Sequence, residues 1–375
     1  MGLTNIRLGD YIERSTINNK ELKYGVDLIV GVNSQGVFAA PKGNTDGVDL
    51  KPYKIVENGA FVYNPTRLEL GSIAYRTEGL CIVSHLYMVF YLTDEGKKII
   101  DPMWLYIYFR RSEFCREVKF RNFGSQRPEF NFNDMSDIVI PLPDIEIQKK
   151  YVDIYNAMLE NQKSYEYRLE DLKLACDAYI EDLKHGIHCK AIGPYVERHD
   201  VRNRTNEIKN VMGVSTSKEF REPTSKVNRN ELSNYKIVRS RQISFVQTTH
   251  NEKVFAYAFN NTEDDIVVTS VNEVFSVDVD KLLPEYLCMF FNRTEFDRYA
   301  RFHSWGSARE TFTWDDLVKV EIPIADMKTQ KSIADIYKAY KERKAINEKL
   351  KEQIKDICPI LIKGSIEEAR KAKEA

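Results

Sequence analysis

The sequence predicts an α+β protein built twice: two tandem globular domains, each followed by a long helix, the two helices forming an antiparallel coiled coil under a pseudo-two-fold internal repeat. Three observations carry this. DIVIPLPDIEIQKKYVDIYN (137–156) returns as KVEIPIADMKTQKSIADIYK (319–338), a shift of 182 residues with eight of twenty positions identical, Asp144/Asp326 and Gln148/Gln330 among them. Ahead of each copy, apolar residues recur at the period of strands. After each copy the period changes to that of a helix.

Within the first domain the strand-like stretches are GAFVYN, SIAYR and CIVSHLYMVFYL; their partners are QISFVQ, VFAYAF and DIVVTSVNEVFSVDV. Each is rich in β-branched and aromatic residues and bounded by Asn, Gly, Thr or Pro. One helix is expected from Asp101 (DPMWLYIYFRRSEFCREV) and one from Leu283 (LPEYLCMFFNRTEFDRYA), each with Pro early, where a helix tolerates it. The first long helix carries an apolar seam at Tyr151, Ile154, Met158, Tyr165, Leu169, Leu172, Cys176, Tyr179 and Leu183. The second carries Ile333, Ile336, Tyr340, Ile346, Leu350, Ile354, Ile357 and Leu361, with Pro359 near its end. Each is about 35 residues and roughly 50 Å long. A narrow seam cannot be buried by one helix alone, so the two are expected to pair, antiparallel because the second half must return the chain. HGIHCKAIGP (185–194) breaks the halves. The expected boundaries are a first domain at 1–145, a helix at 146–185, a second domain at 186–326, a helix at 327–363 and a charged C-terminal tail at 364–375.

The repeat holds register elsewhere. YKIV at Tyr53 recurs at Tyr235, IAY at Ile73 as FAY at Phe255, EF at Glu113 as EF at Glu295, and GSQR at Gly124 as GSAR at Gly306. LGDYIER (8–14) matches IGPYVER (192–198) more loosely.

At 375 residues, 43% hydrophobic and 30% charged, the chain exceeds what one core organises. Neither a membrane-length apolar run nor a signal-peptide core is present, so a soluble, cytoplasmic protein with no membrane partner is expected. Six cysteines form no C-x-x-C pair, which favours reduced, buried thiols over disulfides or zinc. A net charge of −1 argues against nucleic-acid binding by overall charge and leaves it to local patches.

No catalytic constellation emerges. DPMW at Asp101 and NPTR at Asn64 approach the D/N-P-P-Y/F motif of amino-methyltransferases but lack the second Pro and the aromatic; a helix start explains the first better. PDIEIQK at Pro143 has the wrong spacing for a nuclease metal site, and His185 and His188 at a helix end more simply meet its dipole. Neither catalytic residues nor a metal are expected.

The order and duplication of these segments resemble the DNA sequence-specificity (S) subunits of Type I restriction-modification systems, over the whole chain. The resemblance rests on domain, spacer helix, domain, spacer helix; on IPLPDIEIQKK and IPIADMKTQK, similar to the family's Pro-rich strand ending in a Gln at the helix start; and on VYNPTRLELGSIAY and IVSHLYMVF. The second copy departs from it, with FVQTTHNEKVFAY in place of the NPxR-to-GSIAY stretch and IPIA lacking the second Pro. The resemblance implies two target-recognition domains, each reading half of a bipartite site in double-stranded DNA, with the helices as ruler. It also implies docking of methyltransferase (M) subunits, two of them, and of restriction (R) subunits where present. No cofactor is expected in this chain: S-adenosylmethionine, and ATP with Mg²⁺ if the system restricts, belong to the partners.

Candidate DNA contacts follow from local charge. RRSEFCREVKFRNFGSQR (110–127) carries Arg110, Arg111, Arg116, Lys119, Arg121 and Arg127 against Glu113 and Glu117. Its partner NRTEFDRYARFHSWGSAR is weaker, with Arg293, Arg298, Arg301 and Arg309 against Glu295 and Asp297. Gly124 and Gly306 would let a loop approach the duplex, and Gln126, Arg127, Ser307 and Arg309 are types that read base edges. Asn64, Arg67 and the divergent loop from Asn33 to Thr45 extend the set in the first domain, Asn251 and Lys253 in the second. The bland reading makes the helix arginines a solvated face. A rival function, a coiled-coil adaptor binding proteins without DNA, is kept open by the near-neutral charge; a salt titration of DNA binding separates the two.

Overall fold

A computed structural model describes residues 2–41, 43–122, 129–248, 254–304 and 310–374. The chain divides into two compact units, residues 1–164 with 347–375, and residues 165–346. In the first unit run β1 (Thr4–Arg7), β2 (Ile12–Ser15), the hairpin β3 (Gly31–Val32) and β4 (Phe38–Ala39), then β5 (Lys54–Val56), β6 (Phe61–Tyr63), β7 (Ile73–Tyr75), β8 (Cys81–Val83) and β9 (Met88–Leu92). Helices α1 (Asp94–Ile99), α2 (Pro102–Phe109), α3 (Ser112–Arg121) and α4 (Phe132–Ser136) follow, then β10 (Val139–Leu142) and the long α5 (Ile145–Gly186), whose second half enters the other unit. The main sheet is antiparallel in the order β2-β9-β6-β7, with β1–β10, β3–β4 and β5–β8 as separate pairs. Phe61 sits opposite Phe90 and Tyr75, and the three rings stack across the strands at 5.0 and 4.7 Å.

The second unit repeats this plan with β11 (Cys189–Ala191), β12 (Val196–His199), β13 (Gly213–Val214), β14 (Phe220–Arg221), β15 (Lys236–Val238), β16 (Ile243–Val246), β17 (Tyr257–Phe259), β18 (Ile266–Val268) and β19 (Asn272–Val277). Then come α6 (Pro284–Asn292), α7 (Thr294–Phe302), α8 (Trp314–Leu317), β20 (Glu321–Pro323) and α9 (Met327–Glu374), whose second half belongs to the first unit. Sheet order is β12-β19-β16-β17, with pairs β11–β20, β13–β14 and β15–β18. The two domains are therefore α+β and share one register: Phe61 faces Phe90 as Ile243 faces Phe275.

The repeated glutamine has a structural reason. Gln148 is fully buried at the start of α5; its amide donates to the carbonyls of Ile99 and Pro143, and its oxygen accepts from the N–H of Asp101. Gln330 does the same at the start of α9 with Lys281, Ala325 and Leu283. One side chain thus ties each long helix to the strand before it and to the loop that opens α2 or α6.

Each unit contains an antiparallel helix pair. In the first, the opening half of α5 lies against the closing half of α9: Lys150 meets Glu368, and Gln162 donates to Asn347 at 2.9 Å, both of the latter buried. A buried polar pair of this kind fixes register. Gly364 sits inside α9 because a Cβ there would lie 2.8 Å from the Tyr151 ring. In the second unit, Cys176 and Ile180 of α5 share a core with Ile333 and Tyr337 of α9. All six cysteines are free, and burial pushes the Cys176 and Cys358 thiols up to about 11.

Three expectations are corrected. The single helices expected from Asp101 and Leu283 are each two, broken at Arg111 and Arg293, whose backbones are extended. Phe109 and Phe114 explain it: five residues apart, they would stand about 140° round a straight helix, yet their rings are 4.8 Å apart in one core. Phe291 and Phe296 repeat this at 4.7 Å. Residues 364–374 are not a tail but continue α9, because Ser365 and Ala369 are buried against the first domain. Ile154 leaves the seam: it is 45% exposed, while Val152 and Tyr155 take the buried positions, Tyr155 turning toward Tyr106 of the domain. Tyr179 and Ile346 are likewise exposed. Ile333 and Ile354 are buried, and Tyr151, Met158, Leu169, Leu172, Leu183, Ile336, Tyr340, Leu350 and Ile357 are partly buried.

Candidate nucleic-acid interface

In the first domain the structure separates the arginines into two kinds. Arg110 is turned inward: its Nη1 donates to the Gly71 carbonyl at 2.5 Å and lies over Gly36, whose left-handed φ of +75° and absent Cβ leave the guanidinium room. Arg111 stacks on the Tyr108 ring at 3.7 Å and donates to the Tyr108 carbonyl. Lys119 and Arg121 are exposed on α3, where Arg121 pairs with Glu117 at 2.8 Å and Arg116 with Glu113 at 3.4 Å. These surface pairs are weak and exchange readily for phosphate.

Asn64 and Arg67 stand beside this helix. The Asn64 side chain closes a turn by accepting from the N–H and hydroxyl of Thr66; Arg67 is exposed, the Pro65 carbonyl accepts from the N–H of Phe130 just ahead of α4, and the turn at 68–70 packs on α3. The NPTR turn and the basic helix therefore form one neighbourhood, as their sequence separation did not reveal. In the second domain Arg298 and Arg301 are exposed on α7. Gln126, Arg127, Asn251, Lys253, Ser307 and Arg309 lie outside the described residues.

Polar groups that periodicity did not single out hold the domains together. Lys236 is buried between Glu273 and Asp200 at 3.5 and 3.4 Å, while Arg198 grips Glu273 with two hydrogen bonds of 2.7 and 2.8 Å. Its counterpart Lys54 donates to the Tyr87 carbonyl at 2.5 Å, and Met88 occupies the register of Glu273. Burial, and then the repulsion of Arg14, lower the Lys54 pKa. The shared YKIV segment signals the repeated lysine but not its changed partner. Among the described residues no group of His, Cys, Asp and Glu is arranged to hold a metal ion, and no helix is long and apolar enough to cross a membrane.

Two α+β heads of one plan, each with exposed cations on a helix after its sheet and each continuous with a long helix, make a double-headed protein. The model of the Type I restriction modification DNA specificity domain matches twice, over residues 4–170 and 192–356, and the chain belongs to that family. Two such domains in one chain make a bipartite DNA-recognition subunit. Among solved structures, it is similar to the S subunit of a Type I restriction-modification system from M. genitalium, at 11% identity and TM-score 0.59, over 97% of this chain and 96% of that one. It is also similar to the HsdS subunit from Thermoanaerobacter tengcongensis, at 15% identity and TM-score 0.40, over 97% and 96%. A chain from a structure describing complex assembly and conformational transition of the type I R-M system gives 14% and 0.47, over 97% of both. A comparison with curated protein sequences finds no match.

Proposed function

We propose that each domain reads one half of a bipartite site in double-stranded DNA, in the cytoplasm, and that the long helices set the distance between the halves and carry two methyltransferase subunits. Restriction subunits join where the system cleaves. S-adenosylmethionine, and ATP with Mg²⁺ for restriction, are bound by those partners; this chain supplies recognition and no chemistry. The carrying observation is that the two domains keep one register and one helix break, yet expose different charges there: Arg116, Lys119 and Arg121 on α3 against Arg298 and Arg301 on α7. Two heads of one shape and unlike surfaces suit two unlike half-sites.

Methylome sequencing of cells with and without the gene tests this: one interrupted two-part motif should lose its methylation. Unchanged methylation defeats the proposal. The purified chain, given duplex DNA, S-adenosylmethionine, ATP and Mg²⁺, should leave the DNA unmodified, and methyl transfer without partner subunits would overturn its lack of chemistry. Binding to random duplex DNA should weaken steeply with salt; a protein scaffold would show no such slope.

A further inference from the structure

Phe120 and Phe302 are 83% and 80% exposed, the two most exposed of the large apolar side chains among the described residues. They are the same residue of the repeat, 182 positions apart, each in the last turn of its helix. The surrounding residues repeat with them. REVKF (116–120) and RYARF (298–302) both place cations at i and i+3 and phenylalanine at i+4, which is one face of a helix. The opposite face is the buried one in both: Phe114 and Val118 in α3, Phe296 and Ala300 in α7. Neither phenylalanine is therefore a displaced core residue.

We propose that these faces are the DNA-contacting surfaces of the two domains, the paired cations lying on phosphates and Phe120 and Phe302 reaching the bases, against a thymine methyl or as a wedge at a base step. This rests on the DNA-reading function proposed above and names the residues that perform it. Charge favours DNA over a protein partner. Among the described residues Lys119, Arg298 and Arg301 have no carboxylate partner, while the acids of α7 are engaged elsewhere, Glu295 with Arg293 and Asp297 with Lys218. The centres of protein–protein interfaces are depleted of charge, whereas apolar wedges on nucleic acid sit among cations that hold the backbone beside them. The i, i+3, i+4 arrangement delivers both from one helical turn.

The test uses the full chain with its methyltransferase subunits and a random-sequence duplex pool, from which the wild-type complex enriches its target. Phe120→Ala and Phe302→Ala should each weaken binding to the enriched duplex about tenfold, the loss expected for one base contact, with the salt slope unchanged and thermal unfolding unaltered. Lys119→Gln and Arg301→Gln should each flatten the salt slope by about 1. Binding by the double phenylalanine variant within about twofold of wild type overturns the proposal. So does loss of the methyltransferase subunits from that variant, which would make the face a protein dock. If the wild-type complex enriches no sequence and shows no salt slope, the DNA-reading function fails, and this assignment with it; if wild type enriches a target and the variants bind it equally, only this assignment fails.

Discussion

The two domains have the same skeleton and are latched in opposite senses. In the first, the cation comes from the helix: Arg110 crosses to Gly71 and rests over Gly36 in the β3–β4 turn. In the second, it comes from the turn: Lys218, at the repeat position of Gly36, reaches Asp297 and the Phe291 carbonyl, and Asn292 stands where Arg110 would be. A second exchange lies at the helix break. Arg293 is buried among Asp177, Glu181 and Glu295, whereas the repeat puts Pro359 and Lys363 of α9 at the positions of Asp177 and Glu181, and the counterpart Arg111 stacks on Tyr108 instead. The apolar frame admits few substitutions because it is close-packed. A polar latch needs only that each buried group find a partner, and either side of the contact can supply it.

The largest change should come from using one half alone. Unit 1 receives Ile354, Cys358 and Ile362 from α9, and the shift of 182 makes Leu172, Cys176 and Ile180 of α5 their equivalents. A fragment of residues 1–190 should therefore dimerise at micromolar concentration by lending each copy's α5 to the other. With methyltransferase it should modify a palindrome made of the first half-site and its inverted repeat. One contact is mismatched: Trp104 donates to Ser365, and Leu183 replaces that serine in the dimer, leaving a buried indole N–H. Leu183→Ser should then tighten the dimer about tenfold, about 1.4 kcal/mol, by supplying the acceptor. Sedimentation and methylome sequencing read both. A monomeric fragment, or one that modifies the original asymmetric site, would break the equivalence of the halves.

Next in size are the glutamines. Gln148→Leu and Gln330→Leu each strand two buried carbonyls and an N–H, costing about 4 kcal/mol in denaturant unfolding, alike in both units. Unequal losses would mean the hinges are not the same device. These residues also show what the sequence could convey. Identity at Gln148/Gln330 marked a contact made twice, and the strand periods marked both sheets. The breaks at Arg111 and Arg293 were not legible, because SEFCREV and TEFDRYA continue a helical pattern and only the meeting of Phe109 with Phe114 demands a turn. Ile154 misled because apolar spacing does not say whether a helix faces its partner helix or its domain; Tyr155 faces the domain and rotates the seam. Of the candidate DNA contacts, Arg110 and Arg111 were indistinguishable in sequence from Lys119, since charge does not reveal which way a side chain turns.

The helix-break arginines come third. Arg293→Ala should cost about 2 kcal/mol, since the guanidinium is buried, less than a fully buried pair because its carboxylates are more than a third exposed. Arg111→Ala should cost about 0.5–1 kcal/mol, the worth of an exposed cation–π contact. Denaturant unfolding of the two variants measures the difference, and equal costs would show that the acids of α5 do not hold Arg293.

The smallest expected effect is a difference between two substitutions at one residue. Lys218 has a left-handed backbone, φ +64°, in the turn where Gly36 has φ +75°. Lys218→Ala and Lys218→Gly both remove the amine and leave Asp297, itself mostly buried, without its cation. Only glycine also relieves the backbone, so Lys218→Gly should be more stable than Lys218→Ala by about 1 kcal/mol. Gly36→Ala should be worse than backbone strain alone, because its Cβ would stand 2.4 Å from Arg110 Nη1. Moving the whole latch removes the guanidinium clash and leaves only the 2.8 Å approach to the Ile73 carbonyl: Gly36→Lys with Arg110→Asn and Cys115→Asp, the residues found at the matching positions of the second unit. The triple variant should unfold at higher denaturant than Gly36→Lys alone. If it does not, the latches are tied to neighbours beyond these three positions, and the domains have diverged further than their shared register indicates.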